Sequence, residues 1–386
     1  MTQPQLRIAL FSGNYNYVRD GANQALNRLV GYLLRQNVAV RIYSPTTETP
    51  DFPPTGDLVS VASIPLPLGR GEYRLARGLT RAARKDLENF NPNIVHVAAP
   101  DILGHRAISW ARKRGIPVLA SMHTRFETYP RYYGMAFLEG PMEAMLRRFY
   151  RRCDAVVAPS ESMAQVMREQ RMSNNIHIWA RGIDTSIFNP GQRDLSWRRG
   201  LGISDTEPVI GFLGRLVMEK GLDVFADSID ALKAHKVAHR IMVIGEGPAR
   251  DWFEQRLPGA AFVGFQSGMD LGRAVASMDM LFNPSITETF GNVTLETMAC
   301  GIPVIAARAT GSESLVRDGV TGRLVTPGAI AGFAEALAQY CEDSALRQAH
   351  GAAGAKASEA YDWDAVNQAV LDQYQQLLST QAAARG

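Results

Sequence analysis

Short apolar runs of strand length recur along this chain, each followed by a Gly- or Asn-containing loop and then by a stretch whose apolar positions have helical spacing. The first cycle is a strand over 6–12, a loop holding Gly13 and Gly21, and an amphipathic helix over about 22–36, with the next strand at 38–43. Strands over 94–97 and 117–121 flank a helix over about 104–114. Further strands follow at 155–158 and 176–179, and Ser160 is placed to cap the helix between them. The pattern restarts at 208–213 and continues through strands at 239–244, 261–265, 280–282, 304–306 and 322–325, ending in three helical segments. Uninterrupted apolar strands alternating with helices predict parallel sheets covered on both faces. A chain of 386 residues is too long for one ordinary domain, and the restart divides it in two.

Composition narrows the class. With 46% hydrophobic and 20% charged residues, the chain reads as a soluble globular protein with ample core. The net charge of +3 is mild, but arginine is concentrated in two places. One follows an apolar, proline-stiffened loop over 64–71 and is expected to form a helix carrying Arg74, Arg77, Arg81, Arg84 and Lys85. The other is a helix over 141–152 that interleaves Met142, Met145, Leu146 and Phe149 with Arg147, Arg148, Arg151 and Arg152. Both suit an anionic membrane surface, and both are equally open to ordinary packing with a solvated basic face. No nucleic-acid motif accompanies the arginines, so nucleic acid is not an expected partner. Cys153, Cys300 and Cys341 lack metal-ligand or disulfide spacing and read as free thiols of a reducing cytoplasm. No signal peptide or membrane-spanning run is expected, so any membrane contact is peripheral.

The candidate chemistry centres on residues 284–303. Glu288 and Glu296 are separated by seven residues, Glu288 in a loop and Glu296 within a helix expected to begin at Asn292. Free amides around Phe290, Gly291, Asn292 and Val293 would attract phosphate at that helix start. The glutamates would then meet paired hydroxyls, such as those of a sugar or ribose; a glutamate in a first turn is also often only a partner of the helix dipole. Arg215 and Lys220, flanked by Gly214 and Gly221 at another strand–helix junction, are placed to converge on a diphosphate. Gly245 ends a further strand, Phe265 is positioned to wall a base, and His123 lies at a strand end where doubly wound sheets place ligand contacts. His96, by contrast, reads as part of the sheet. The first loop lacks G-x-G-x-x-G, which argues against a dinucleotide. No metal-ligand cluster or suitably placed Asp-x-Asp appears.

Together, Gly214-Arg215 to Lys220-Gly221, Gly245-Glu246-Gly247 and Glu288 through Glu296 to Gly301-Ile302-Pro303-Val304 closely resemble the retaining nucleotide-sugar glycosyltransferases of family 4, which have the GT-B fold. The resemblance reaches the first half through 123–129 and Arg181-Gly182-Ile183-Asp184, and is greatest to bacterial enzymes that glycosylate membrane lipids, of the mannosyl-, glucuronosyl- or sulfoquinovosyl-lipid type. It implies an α/β chain of two Rossmann-like doubly wound domains facing across a cleft. These would be an acceptor-side domain over 1–185, rejoined by a final helix within 363–386, and a nucleotide-sugar domain over 186–362.

By position, the resemblance implies that Arg215 and Lys220 hold the donor diphosphate, Glu296 the ribose hydroxyls and Glu288 the donor sugar. His123 would point at the transferred sugar, while Gly13 to Gly21 would let backbone approach donor or acceptor. The implied reaction moves a hexose from a UDP- or GDP-sugar to a hydroxyl of a lipid or glycolipid, with retention and without a metal or other cofactor. The expected location is the cytoplasm or the inner face of its membrane. The chain departs from the family at Asn14–Tyr17, which replaces glycine-rich wording, and at 310–314, where nothing catalytic is inferred from Glu313. A non-catalytic nucleotide-sugar-binding module and a nucleotide-sugar epimerase are the alternatives, with an NAD-dependent oxidoreductase disfavoured by the missing fingerprint.

Overall fold

A computed structural model describes residues 5–18, 20–65, 73–128 and 135–385. The chain divides into two compact units, Met1–Arg181 with Trp363–Gly386, and Gly182–Asp362.

The first unit contains β1 (Arg7–Phe11), β2 (Ala39–Ser44), β3 (Asp57–Ser60), β4 (Ala62–Pro65), β5 (Arg74–Gly78), β6 (Ile94–Val97), β7 (Val118–Ser121), β8 (Ala155–Ala158) and β9 (Ile176–Ile178). Seven of these form a parallel sheet in the order β3-β2-β1-β6-β7-β8-β9, while β4 and β5 make a separate antiparallel pair. The helix Gly21–Arg35 covers one face together with Trp363–Arg385, which contributes Val370, Leu371, Tyr374 and Leu377 to the core there. Each such side chain, once buried, stabilises by about 1.5–3 kcal/mol. Leu87, Leu103, Ile108, Phe149 and Met163, from four other helices, cover the opposite face.

The hairpin overturns one expectation. Arg74 and Arg77 do not share a helix with Arg81, Arg84 and Lys85; they lie on β5, paired with β4, where Arg74 Nε donates to Ser63 Oγ at 2.8 Å. Helix formation begins only at Arg81, after Thr80 accepts from the Ala83 amide at 3.1 Å. Strand pairing and the cap override the helical spacing of the arginines. Of the apolar loop expected over 64–71, Ile64 and Pro65 belong to β4, and 66–71 lie outside the described residues.

The second basic segment forms the helix Glu139–Tyr150, with Leu146, Phe149 and Tyr150 buried. Several of its arginines are engaged with the fold. Arg147 pairs with Glu143 and donates to the Gln170 carbonyl, Arg151 donates to the Arg171 carbonyl, and Arg152 reaches Ser109. Arg148 is exposed.

The second unit has β10 (Val209–Leu213), β11 (Arg240–Ile244), β12 (Ala261–Gly264), β13 (Met280–Asn283), β14 (Val304–Ala307) and β15 (Gly322–Val325), in the order β12-β11-β10-β13-β14-β15. All neighbours are parallel, and this is the doubly wound order of dinucleotide-binding folds. Phe212, Phe225, Phe253, Phe282 and Phe333 pack in one aromatic cluster under the sheet. The Arg-rich stretch after 190 is also ordered. Arg198 is fully buried, and its guanidinium binds Asp279 and the carbonyls of Ser277, Ser204 and Glu207. The three cysteines are free thiols. Among the described residues no helix is long and apolar enough to cross a membrane.

Candidate active site

In a doubly wound sheet the strand order reverses between two central strands, and the loops at their carboxyl ends diverge to leave a crevice. In the second unit those strands are β10 and β13. The loop after β10 carries Gly214, Arg215 and Lys220; the loop after β13 carries Glu288. Adjacent strands therefore bring Lys220 and Glu288 together, as an ion pair of 2.5 Å with both side chains partly buried. Arg215, on the same loop as Lys220, is exposed.

Backbone fit explains the glycines. A Cβ on Gly245, where φ is +138°, would lie 2.0 Å from the Gly214 carbonyl oxygen, so the loops after β10 and β11 can touch only without side chains. A Cβ on Gly311 would lie 2.9 Å from the Phe290 carbonyl oxygen and 3.0 Å from Glu288 Cβ, which makes Gly311 the seat of the Glu288 loop.

Two helices open onto this crevice, Leu222–Leu232 and Asn292–Ala299. Each starts at a glycine in the left-handed region, Gly221 (φ +74°) and Gly291 (φ +97°), and neither has a side-chain cap. The first-turn amides of Asn292 and Val293 therefore have no capping oxygen from their own N-cap residue, which is the condition for binding an anion. Glu296 sits one turn further on, half-buried, and burial followed by the negative charge of Glu288 pushes its carboxyl up to about 7. The Phe290 ring is buried edge-on against Tyr361, centroids 5.9 Å apart, so this residue can offer a ligand only its backbone. Phe265 follows β12 and is 68% exposed. Among the described residues no group of three or more His, Cys, Asp or Glu side chains is arranged to hold a metal ion.

The first unit has its own crevice, at the ends of β1 and β6. A cavity of about 420 Å³ there is lined by Gly13, Tyr17, Asp20, Arg74, Asp101 and His123, among others. A Cβ on Gly13 would come within 2.7 Å of Asp101 Oδ2, so a side chain there would displace that carboxylate. Burial pushes the Asp101 carboxyl up to about 6, although it accepts from the Gly104 amide at 2.7 Å. Gly21 is simply the first residue of its helix, behind the Asp20 cap. The Asn14–Tyr17 departure has a structural use: Tyr15, Asn16 and Tyr17 donate to the carbonyls of Thr55, Phe52 and Gly13 at 2.6, 2.9 and 2.7 Å, so side chains hold the loop in place. His123 hydrogen-bonds Ser121 Oγ through Nε2 and Arg181 Nη2 through Nδ1, both at 2.9 Å. Its ring is kept well below the ordinary histidine pKa by burial, then by the charge of Arg181 and by His96. The aromatic residues over 129–134 lie outside the described residues.

Comparison with known proteins bears on both units. Residues 19–187 match the family model described as Glycosyltransferase Family 4, and residues 207–343 match Glycosyl transferases group 1. The GDP-mannose-dependent alpha-mannosyltransferase of Mycolicibacterium smegmatis is 30% identical over 97% of this chain and 98% of its own. The chain belongs to the family 4 glycosyltransferases. It is a hexosyltransferase with the two Rossmann-like units of the GT-B fold. A further relative is the alpha-monoglucosyldiacylglycerol synthase of Streptococcus pneumoniae, 25% identical over 83% of this chain and 75% of its own. Sucrose-phosphate synthase of Thermosynechococcus elongatus shares the fold, with a TM-score of 0.79 at 18% identity over 97% of this chain and all of its own. These relatives are transferases, which supports neither the binding-module nor the epimerase alternative.

Sequence reasoning named the residues at the second crevice but missed Gly311, Asp101 and Arg181. Gly311 and Asp101 act through close approach to partners distant in sequence, which no local pattern announces. Arg181 did stand inside a motif carrying the family resemblance, without a role attached.

Proposed function

We propose that this glycosyltransferase moves a hexose from a UDP- or GDP-linked sugar to a hydroxyl of a lipid or glycolipid, with retention at the anomeric carbon and without a metal. The reading is carried by one observation: the Lys220–Glu288 pair stands just before two helix starts that lack side-chain caps, with Glu296 close enough to feel the charge of Glu288 and Arg215 on the loop that carries Lys220. A diphosphate meets Lys220, Arg215 and the free amides. Hydroxyls of ribose and sugar meet Glu296 and Glu288.

In the proposed reaction the anomeric C–O bond to the diphosphate breaks, and its electron pair stays on the departing oxygen. The acceptor hydroxyl oxygen bonds the anomeric carbon on the same face, and its proton passes to that departing phosphate oxygen. Negative charge grows on the diphosphate, where fixed cations and amides stabilise it without reorganising. Side-chain cations take the role a metal has elsewhere. His123, in the first unit, contacts the transferred sugar in this reading.

Support for a lipid acceptor comes from the resemblance to lipid-glycosylating enzymes and from the named product of the streptococcal relative. The protein would then act peripherally at the inner face of the cytoplasmic membrane. Incubation with UDP- and GDP-hexoses and lipid acceptors, followed by mass analysis and α- or β-glycosidase digestion, tests the whole reading. An α-linked glycolipid from an α-linked donor is expected, whereas a β-linkage would exclude retention. Flotation with anionic vesicles tests the membrane contact. Binding should weaken as salt screens the surface, and salt-insensitive or absent binding would count against it.

A further inference from the structure

His123 is one end of a continuous buried chain of hydrogen bonds. Ser121 Oγ lies 2.9 Å from His123 Nε2 and also 2.9 Å from His96 Nε2, and His96 Nδ1 lies 2.6 Å from the Tyr374 hydroxyl. His96, Ser121 and Tyr374 are inaccessible or nearly so. Tyr374 belongs to the helix Trp363–Arg385, which reaches His96 on β6 through this contact. Trp179, itself buried, packs its ring edge-on to both histidines and donates to Asn367 of the same helix at 3.2 Å.

The chain has a determined sense at its His123 end. A guanidinium can only donate, so Arg181 requires Nδ1 of His123 to be an acceptor. A neutral imidazole with Nδ1 unprotonated carries its hydrogen on Nε2, which then donates to Ser121. This holds whichever way the His96–Tyr374 link is oriented. Arg181 is itself locked, because its other terminal nitrogen donates to the carbonyls of Trp179 and Ala180. The charged and titratable groups around the ring are Arg181, Asp20, which faces Arg181, and His96. Burial lowers Arg181 only to about 10, so it stays cationic at neutral pH, and a second positive charge on His123 is opposed.

We propose that Arg181 and Ser121, backed by His96 and Tyr374, are positioning residues that hold His123 as a fixed, neutral Nε2–H imidazole at the wall of the first-unit cavity, so that it serves the transfer reaction without taking up or releasing a proton. This rests on the reading of His123 as a residue of the hexosyl-transfer site. It deepens that reading, because a histidine with both nitrogens engaged does not compete with the departing phosphate for the acceptor proton. It also gives the C-terminal helix a share in placing a site residue.

The test is nitrogen NMR of the histidine rings in the full-length protein, combined with kinetics. His123 should show the neutral Nε2–H pattern unchanged between about pH 5 and pH 8, the window in which an ordinary histidine titrates. Protonation within that window, or the Nδ1–H form, overturns the proposal. Arg181→Gln should remove the donor that fixes Nδ1 as an acceptor, seen as loss of the single Nε2–H pattern, and lower kcat by about 10-fold, the scale seen when an outer partner of a site residue is lost, with donor KM within about twofold. Ser121→Ala should act in the same direction, and Ser121→Thr, which keeps the hydroxyl, should recover the parent behaviour. Tyr374→Phe removes one oxygen and keeps the packing, so it reports on the chain even if Arg181 variants fail to fold. Parent-like kcat and ring spectra in both Ser121→Ala and Tyr374→Phe would refute the positioning role. Full turnover by His123→Ala, with the parent NMR pattern as expected, would instead refute the placement of His123 in the transfer site.

Discussion

The two crevices finish their helix starts in different ways. Each must satisfy the free amides at the starts of the helices that follow its central strands. At four helix starts of the first unit side chains do this: Asp20, Thr80, Asp101 and Ser160 each accept from the amide three residues on, whereas the helix Glu139–Tyr150 has no such cap. In the second, the helices beginning at Leu222 and Asn292 start from left-handed Gly221 and Gly291 and have no such cap; elsewhere in that unit Asp194 and Asp343 cap helices, while those beginning at Arg250, Gly268 and Ile330 are also without one. At the crevice of the second sheet, an anion can take the place of the missing cap. A capped helix start repels a phosphate, since it places a carboxylate or hydroxyl oxygen where the phosphate would sit. The contrast between the two crevices supports the proposal that the donor diphosphate binds at the second.

The sharpest way to break this contrast is to remove the cations beside the uncapped helices. Arg215→Ala and Lys220→Ala should each lower kcat/KM by the order of 10²-fold or more, as the loss of a preorganised electrostatic donor does. Steady-state kinetics that match the parent would end the assignment. Lys220→Ala also leaves Glu288 without its partner, so its effect should exceed that of Arg215→Ala.

Next in size is Glu296. Its folded pKa of about 7 stands above its ordinary 4.5, so the folded, unliganded protein holds this proton more tightly than the unfolded chain does. The stabilising contribution is complete below pH 4.5 and is lost as pH rises through 7. Glu296→Gln should therefore stabilise the unliganded protein at pH 8 by about 1–3 kcal/mol, read as a higher Tm, and change little near pH 4. Donor affinity should move the other way: in the parent it should rise about tenfold from pH 6 to pH 8 as the carboxylate forms, and Glu296→Gln should abolish that rise. Isothermal titration at the two pH values checks both.

The smallest effect is expected on the capped side. Thr80→Ala should cost about 1 kcal/mol of stability and leave donor affinity at the parent value. A change in affinity would show that the first unit's helix starts are not separate from donor binding.

Much of this architecture was legible in the sequence because its signals are local. The helix Asn292–Ala299 and the strand before it stand where apolar run, glycine and helical spacing put them, and Arg215, Lys220 and Glu288 follow from adjacent strand ends of a known sheet order. The β4–β5 hairpin was not legible, since arginines at helical spacing look alike on a strand and its partner lies across 66–72. The links from His96 to Tyr374 and from Gly13 to Asp101 were invisible for a different reason. They join residues far apart in the chain, and only the folded sheet specifies their proximity. The same limit hid the engagement of Arg147, Arg151 and Arg152 with carbonyls and hydroxyls, which makes their helix less available to a membrane than its composition suggests.

The first unit is closed by residues 363–385, and this orders events during synthesis. Ribosomes add about 5–20 residues per second, so the sheet of the first unit is complete roughly 10–40 s before its covering helix emerges. Throughout that interval Leu29, Leu33 and Trp179 lack the partners Val370, Leu371 and Tyr374. A nascent chain stalled anywhere in the second unit therefore displays a strip of unpaired apolar surface, and it should be a client of chaperones until the final helix docks.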